Sequence, residues 1–254
     1  MGIAIIHLSI LMLIPFVNPK TTVSSIDSIE STEEKSRSQN ELFSIQEIDS
    51  VTYFAFKEKA NMQAALEKLT DLVEAKERLK GRVIWGEYDY EIRKIKEAEE
   101  GELVYKVFFD NGKTILYDQP EAFFVDYYPE KDILSLEGGH SSSLIFNLTT
   151  GEETEEVGDP AYWCDSPSGR YRFNGYYTGN ADVYFIQKKS GTKYKTIIEL
   201  DYSSGSTLAR SFGFVPEYLF GIFWHNDSTM NFMVSRYYYP EDITKKFSYQ
   251  LILE

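Results

Sequence analysis

A mainly β globular domain carrying one N-terminal α-helix is the fold class this sequence predicts, and three observations predict it. Aromatic residues make up 15% of the chain, with 19 Tyr and 17 Phe. These side chains suit a pleated, half-buried surface. From Arg82 onward, apolar and polar residues alternate with a period of two, the spacing of strands with one buried face. Turn-forming residues also punctuate the chain at short intervals. Asp110-Asn111-Gly112-Lys113 is the clearest case, because Asn-Gly accepts the positive φ angles of a tight hairpin. The expected architecture is propeller-like, or else an antiparallel meander or sandwich.

The elements follow in order. Residues 1–20 contain an almost unbroken apolar run from Ile3 to Val17. The run is about fifteen residues long, whereas a membrane-spanning helix needs about twenty. The length fits the apolar core of a secretory signal peptide, although no Lys or Arg precedes it. Residues 21–41 are rich in Ser, Thr and Glu, as in Ser31-Thr32-Glu33-Glu34. A stretch this polar cannot offset its own ordering entropy and is expected to be a flexible linker. Residues 42–254 then form a single β-rich domain. Val51 to Phe56 reads as a strand or aromatic strip. One helix is expected over about 58–80, where Met62, Leu66, Leu69, Val73 and Leu79 recur at three- and four-residue steps and Gly81 stops the helix. Strands then alternate through Tyr88, Tyr90 and Ile92 and through Leu103, Tyr105, Val107 and Phe109. No second helix is expected.

Three segments share a polar turn followed by a strand: Tyr127-Tyr128-Pro129-Glu130-Lys131-Asp132-Ile133-Leu134, Asp165-Ser166-Pro167-Ser168-Gly169-Arg170-Tyr171-Arg172-Phe173, and Trp224-His225-Asn226-Asp227-Ser228-Thr229-Met230-Asn231-Phe232. The second resembles the Ser-Pro-Asp-Gly-Lys turn of WD40-like β-propeller repeats in the periplasmic TolB family, with Ser168 in place of the Asp. Ile145 to Glu152 is similar to the strand and Thr-Gly-Glu hairpin that closes such blades. Pro129 and Pro167 lie about 40 residues apart, as expected for four-stranded blades; the step to the third segment is nearer about 60. The resemblance spans residues 123–254. It implies a fold type and transfers no functional residues. A twisted antiparallel meander or sandwich remains open beside it.

Charge narrows the partners. The formal net charge is -14 and the pI about 4.8. So acidic a chain repels phosphate backbones and anionic lipid. No nucleic-acid partner is expected, and no membrane association beyond the N-terminal apolar segment. A cationic partner is compatible with the charge. The single cysteine, Cys164, excludes an intramolecular disulfide and reads as a small buried apolar residue. The three His, His7, His140 and His225, are too few to argue for a zinc site with it, and neither a metal nor a cofactor is expected. His140, in Gly138-Gly139-His140-Ser141, reads as a tight turn. Glu152-Glu153-Thr154-Glu155-Glu156 reads as a solvated strand end.

Aromatic clusters beside turns are the candidate binding residues: Tyr127, Tyr128, Trp163, Tyr177, Trp224 and His225. Exposed aromatics offer rigid contact area to sugar rings or a protein partner. With no catalytic constellation in the sequence, the expected function is an exported, periplasmic or extracellular, non-enzymatic binding or interaction domain for an unknown protein or carbohydrate. The alternative is a carboxylate-dependent hydrolase acting on a polysaccharide.

Overall fold

The computed structural model describes residues 43–60, 64–200, 218–238 and 243–254, together with Ala209 and Phe212. The apolar segment 1–20 and the linker 21–41 lie outside the described residues. The rest is mainly β, in three antiparallel sheets, and one sheet is strongly curled like a half-barrel.

The first sheet has seven strands: β2 (Val83–Asp89), β3 (Lys94–Glu97), β4 (Leu103–Phe108), β5 (Thr114–Leu116), β6 (Phe123–Tyr128), β7 (Ile133–Glu137) and β8 (Ser143–Asn147). Their order is β3-β2-β4-β6-β7-β8, with β5 on β4. The β4–β6 junction rests on a single pairing, Leu103 with Phe123. The second sheet is a plain meander, β9 (Cys164–Asp165), β10 (Tyr171–Tyr177), β11 (Asp182–Ser190) and β12 (Lys193–Glu199). The third is β13 (Leu219–Asn226), β14 (Thr229–Tyr238) and β15 (Ile243–Leu253), completed at its edge by β1 (Phe43–Ile48). β1 runs antiparallel to β15 in unbroken register, Phe43 opposite Leu253 and Ile48 opposite Ser248.

Alternation explains the core. Phe173, Ile186 and Ile198 from the second sheet meet Trp224, Phe232, Tyr249 and Leu251 from the third. On β14, Met230, Phe232 and Val234 face this core. A second cluster joins Ala75 and Leu79 to Val83, Val104, Leu134 and Phe146 of the seven-stranded sheet. A third, smaller one of Tyr128, Ile133, Ile145 and Val157 is flanked by Leu66 and Trp163.

The single helix expected over 58–80 is corrected to two shorter ones. Helix α1 spans Ser50–Lys59 and α2 spans Leu72–Arg78. Each starts at an Asp that caps it: Asp49 accepts from the Thr52 N–H and Asp71 from the Glu74 N–H, both at 2.9 Å. Such caps satisfy backbone donors that a helix start leaves unpaired. Residues 64–71, ahead of the second helix, are not helical. Leu69 exchanges backbone hydrogen bonds of 2.8 and 2.9 Å with Tyr127, so it serves β6 rather than a helical stripe. Val73, placed on the apolar face by the sequence reading, is 72% exposed. The strip Val51 to Phe56 lies inside α1, where Tyr53 is fully buried against Phe223 and bonds the Gly221 carbonyl. After Gly81, the only α-helix of four or more consecutive described residues is α3, Thr154–Val157.

All three repeated segments are hairpin turns, joining β6 to β7, β9 to β10 and β13 to β14. The strands that follow Pro129 and Pro167 belong to different sheets. Two of the turns touch: the Ser168 N–H donates to the Asp227 carboxylate at 2.9 Å, which holds that carboxyl below its usual range. In the Pro167 turn the Gly169 N–H bonds the Ser166 carbonyl at 2.7 Å and Gly169 takes φ +69°. Gly158, at φ +63°, follows α3.

These two glycines predict different costs. A Cβ on Gly169 meets nothing nearer than the Tyr194 hydroxyl at 3.8 Å, so Gly169→Ala should cost only the backbone term, about 1 kcal/mol. A Cβ on Gly158 falls 2.1 Å from the Asn174 side-chain oxygen, and Asn174 is fully buried and hydrogen-bonded. Gly158→Ala should therefore cost about 3 kcal/mol. Urea unfolding of the two variants checks the ranking.

Candidate functional site

The seam between the seven-stranded sheet and the β9–β12 meander gathers more chemistry than any other place among the described residues. Helix α3 lies in this seam. The acidic run Glu152–Glu156, expected to be a solvated strand end, instead builds the helix. Glu153 and Glu156 form a reciprocal capping box at its start, which satisfies two backbone donors at once. Thr154 and Val157 are buried, and the Thr154 hydroxyl accepts from the Ile145 N–H at 2.9 Å. The run keeps its solvated face, with Glu155 and Glu156 exposed, but it is helical and not a strand end.

Partners on the meander take up the last carbonyls of α3. The Val157 carbonyl accepts from Asn174 Nδ2 at 2.7 Å and from Trp163 Nε1 at 3.2 Å. The Glu156 carbonyl accepts from Gln187 Nε2 at 2.8 Å, and Asn174 also bonds Gln187 at 3.1 Å. Buried backbone carbonyls demand such donors.

On one side of α3 is a cleft of about 440 Å³, lined by Trp163, Arg172, Tyr194, Gln187, Asn147 and Lys189 among others. Arg172 organises it. Its guanidinium carbon lies 3.7 Å from the Trp163 ring centre and 4.0 Å from that of Tyr194. Its nitrogens hold both Asp165 oxygens, at 2.6 and 3.1 Å. A planar cation between two π faces with a bidentate carboxylate is a rigid arrangement. Burial pushes the Tyr194 hydroxyl up, and the Asp165 charge adds to that. Lys193 pairs with Glu152 at 2.7 Å at the rim.

On the other side is a cleft of about 530 Å³, lined by Tyr117, Phe146, Tyr176, Tyr177, Glu153 and Glu155 among others. Residues 153–155 of the run face this cleft, while Glu152, Glu156 and Val157 face the first.

The aromatic residues singled out from sequence divide between core and cleft. Tyr127, Tyr128 and Trp224 are buried. Tyr127 donates to Asp132 at 2.9 Å, and burial lifts its hydroxyl to about 12. Trp224 donates to the Cys164 carbonyl at 2.8 Å. Trp163 is half-buried and walls the first cleft, while Tyr177, half-buried, walls the second. His225 is exposed and lies 4.3 Å from the Phe56 ring, centre to centre, on the third sheet. Cys164 is partly buried, and burial raises its thiol to about 11. A thiol so held is a poor nucleophile at neutral pH. His140 sits in a short turn at φ +55°, between β7 and β8. The sequence reading missed Arg172, Tyr194 and Gln187. Arg172 does point away from Phe173, as alternation requires, but that face is covered by Trp163 and Tyr194 instead of water.

A second polar group lies nearby. Lys68 pairs with Asp126 at 2.7 Å. Burial lifts the Asp159 carboxyl, opposed by a hydrogen bond from the Ala161 N–H and assisted by the charge of Asp126. Among the described residues no three His, Cys, Asp or Glu side chains converge as a metal site would require. No protein-family model, curated protein or solved structure matches this chain.

Two predictions follow from the polar groups of the seam. Arg172→Ala strips a largely buried cation from Asp165 and should cost about 3 kcal/mol in urea unfolding. Arg172→Lys should recover less than half of that, because an ammonium can neither stack as a plane nor grip both oxygens. For Asp159 the folded pKa lies above the unfolded one, so stability is lost as pH rises through the folded value. Asp159→Asn keeps an acceptor for the Ala161 N–H. It should raise the melting temperature at pH 7, and the gain should vanish by about pH 3, where the carboxyl is protonated in both states.

Proposed function

We propose that this chain is an exported, non-enzymatic binding domain that seats a carbohydrate or protein ligand in the cleft beside Trp163. The observation that carries this reading is the Trp163–Arg172–Tyr194 stack. It holds two aromatic rings rigidly at the wall of an open cleft, beside amide and hydroxyl groups of Asn147, Thr150, Gln187 and Thr192. Aromatic walls with a few fixed polar groups are the usual makeup of a ligand site. The carboxylates of the cleft are engaged elsewhere: Asp165 grips Arg172, Glu152 holds Lys193, and Glu156 caps α3. Export is supported by the apolar run Ile3–Val17 and the Ser/Glu-rich stretch behind it. The architecture proposed is a set of propeller blades of the TolB kind. The β9–β12 meander is one blade. β13–β15 with the N-terminal strand β1 is another, and β6–β8 belongs to a third.

The second reading, a carboxylate-dependent hydrolase, draws on Asp126 and Asp159. One is paired with Lys68 at 2.7 Å and burial lifts the carboxyl of the other, and a raised carboxyl near a second one is the arrangement of an acid–base pair. Asp126 is buried, however, with 7% exposure.

One experiment tests both readings. Trp85 and Trp224 are buried and Trp163 is half-buried, so quenching of tryptophan emission reports on the cleft. The full chain is titrated with neutral oligosaccharides of defined length. Saturable quenching is expected, absent in Trp163→Phe, with every sugar recovered uncleaved. New reducing ends that disappear in Asp159→Asn would establish the hydrolase instead.

A further inference from the structure

The second cleft, on the far side of α3, has a different chemistry. Its walls are the rings of Tyr117, Phe146, Tyr176 and Tyr177 with Ile115 and Leu144, and its charged lining consists of Glu153 and Glu155 alone. The nearest cation in contact with that lining, Lys113, is committed to Glu153 and lies over the Phe109 ring at 5.6 Å. Glu155 is exposed and makes no hydrogen bond or ion pair among the described residues. Tyr177 is fixed through its hydroxyl to the Gly179 carbonyl at 2.9 Å, and the Ser143 hydroxyl accepts its backbone N–H at 3.2 Å. Its ring is therefore held in place as a wall. The hydroxyls of Tyr117 and Tyr176, by contrast, take no partner among the described residues.

Burial raises both hydroxyls, and carboxylates push in the same direction: Glu153 and Glu121 on Tyr117, Glu155 and Glu199 on Tyr176. The cleft thus combines a negative field with aromatic walls. An anion is repelled there. A neutral apolar group would leave Glu155 and two hydroxyls facing it without partners, at a cost in desolvation. A cation gains from the carboxylate and from the quadrupole of each ring. The overall charge of -14 favours the approach of such a ligand.

We propose that this cleft binds the basic side chain of a peptide partner, with the aliphatic stem against Leu144, Phe146 and Tyr177 and the ammonium or guanidinium head at Glu155 and the hydroxyls of Tyr117 and Tyr176. The site is separate from the Trp163 cleft and independent of the reading given to it.

The test is calorimetric titration of the full chain with N-acetyl-lysine methylamide and N-acetyl-arginine methylamide. N-acetyl-norleucine methylamide serves as the uncharged isostere, and spermidine as a free cation that is not part of a peptide. The lysine or arginine compound should bind saturably, and the norleucine compound should bind about tenfold more weakly or not at all. Glu155→Gln, an exposed and conservative change, should weaken the cationic compounds about fivefold or more. Affinity should also fall as salt rises, while tryptophan emission from the other cleft stays unchanged. Spermidine binding more tightly than both amino-acid compounds would assign the site to free polyamines and overturn the peptide assignment. Equal binding of norleucine and lysine compounds, indifference to Glu155→Gln, or no saturable binding of any cation would overturn the cation site itself.

Discussion

Four residues of helix make the seam of this molecule possible. A helix leaves its last carbonyls without partners, and α3 ends between two sheets where water cannot serve them all. Asn174 and Gln187, neighbours on β10 and β11, turn their amides toward the Val157 and Glu156 carbonyls. Asn174 spends its remaining oxygen on the Gly175 N–H, and the Asp159 N–H returns to the Gly175 carbonyl at 2.7 Å. The groups of this knot are satisfied by one another, across α3, the residue that follows it and the meander. Gly158 has to be glycine here, because Asn174 fills the space a Cβ would take. A half-satisfied network would cost more than an apolar contact, so the knot is held together by its completeness.

The two clefts are consequences of that knot. Since α3 stands between the sheets, it parts the space between them, residues 153–155 facing one side and Glu152, Glu156 and Val157 the other. Toward one cleft the meander presents Arg172 with its two aromatic faces. Toward the other it presents Tyr176 and Tyr177, beside Tyr117 and Phe146 of the seven-stranded sheet. The charges sort accordingly. In the first cleft Arg172 pairs with Asp165 and Lys193 with Glu152, beside rings and amides. In the second, carboxylates exceed cations. One short element thus separates two environments of different chemistry.

The third sheet has a different constraint. A meander of β13 to β15 would leave the β15 edge unpaired, and exposed edges invite association with other chains. The N-terminal strand β1 covers that edge from Ser248 to Leu253. Chain continuity then places α1 across the outer face, where Tyr53 is the side chain it buries completely. The β9–β10 and β13–β14 turns meet at Ser168 and Asp227, and Trp224 reaches the Cys164 carbonyl beside them. Two sheets that share one apolar core are therefore also tied by polar contacts at their ends.

The sequence by itself determined the β class, the period of the strands and the positions of the turns. These rest on local physics: alternation decides which side chains share a face, and Pro, Gly and Asn decide where a chain can reverse. Gly169 at positive φ was legible for that reason, as was the repeated hairpin in three segments. What the sequence left undecided depended on partners distant in the chain. The stripe from Met62 to Leu79 has helical spacing, yet Leu69 pairs with the backbone of Tyr127, 58 residues on, because β6 offered an unpaired edge. The acidic run read as a strand end, yet it forms a helix that keeps Glu155 and Glu156 exposed while burying Thr154 and Val157. Alternation sets Arg172 on the face opposite Phe173, and only the approach of Trp163 and Tyr194 turned that face into a cleft wall. Alternation assigns a residue to a face. Tertiary packing decides whether that face meets water, another sheet or a ligand.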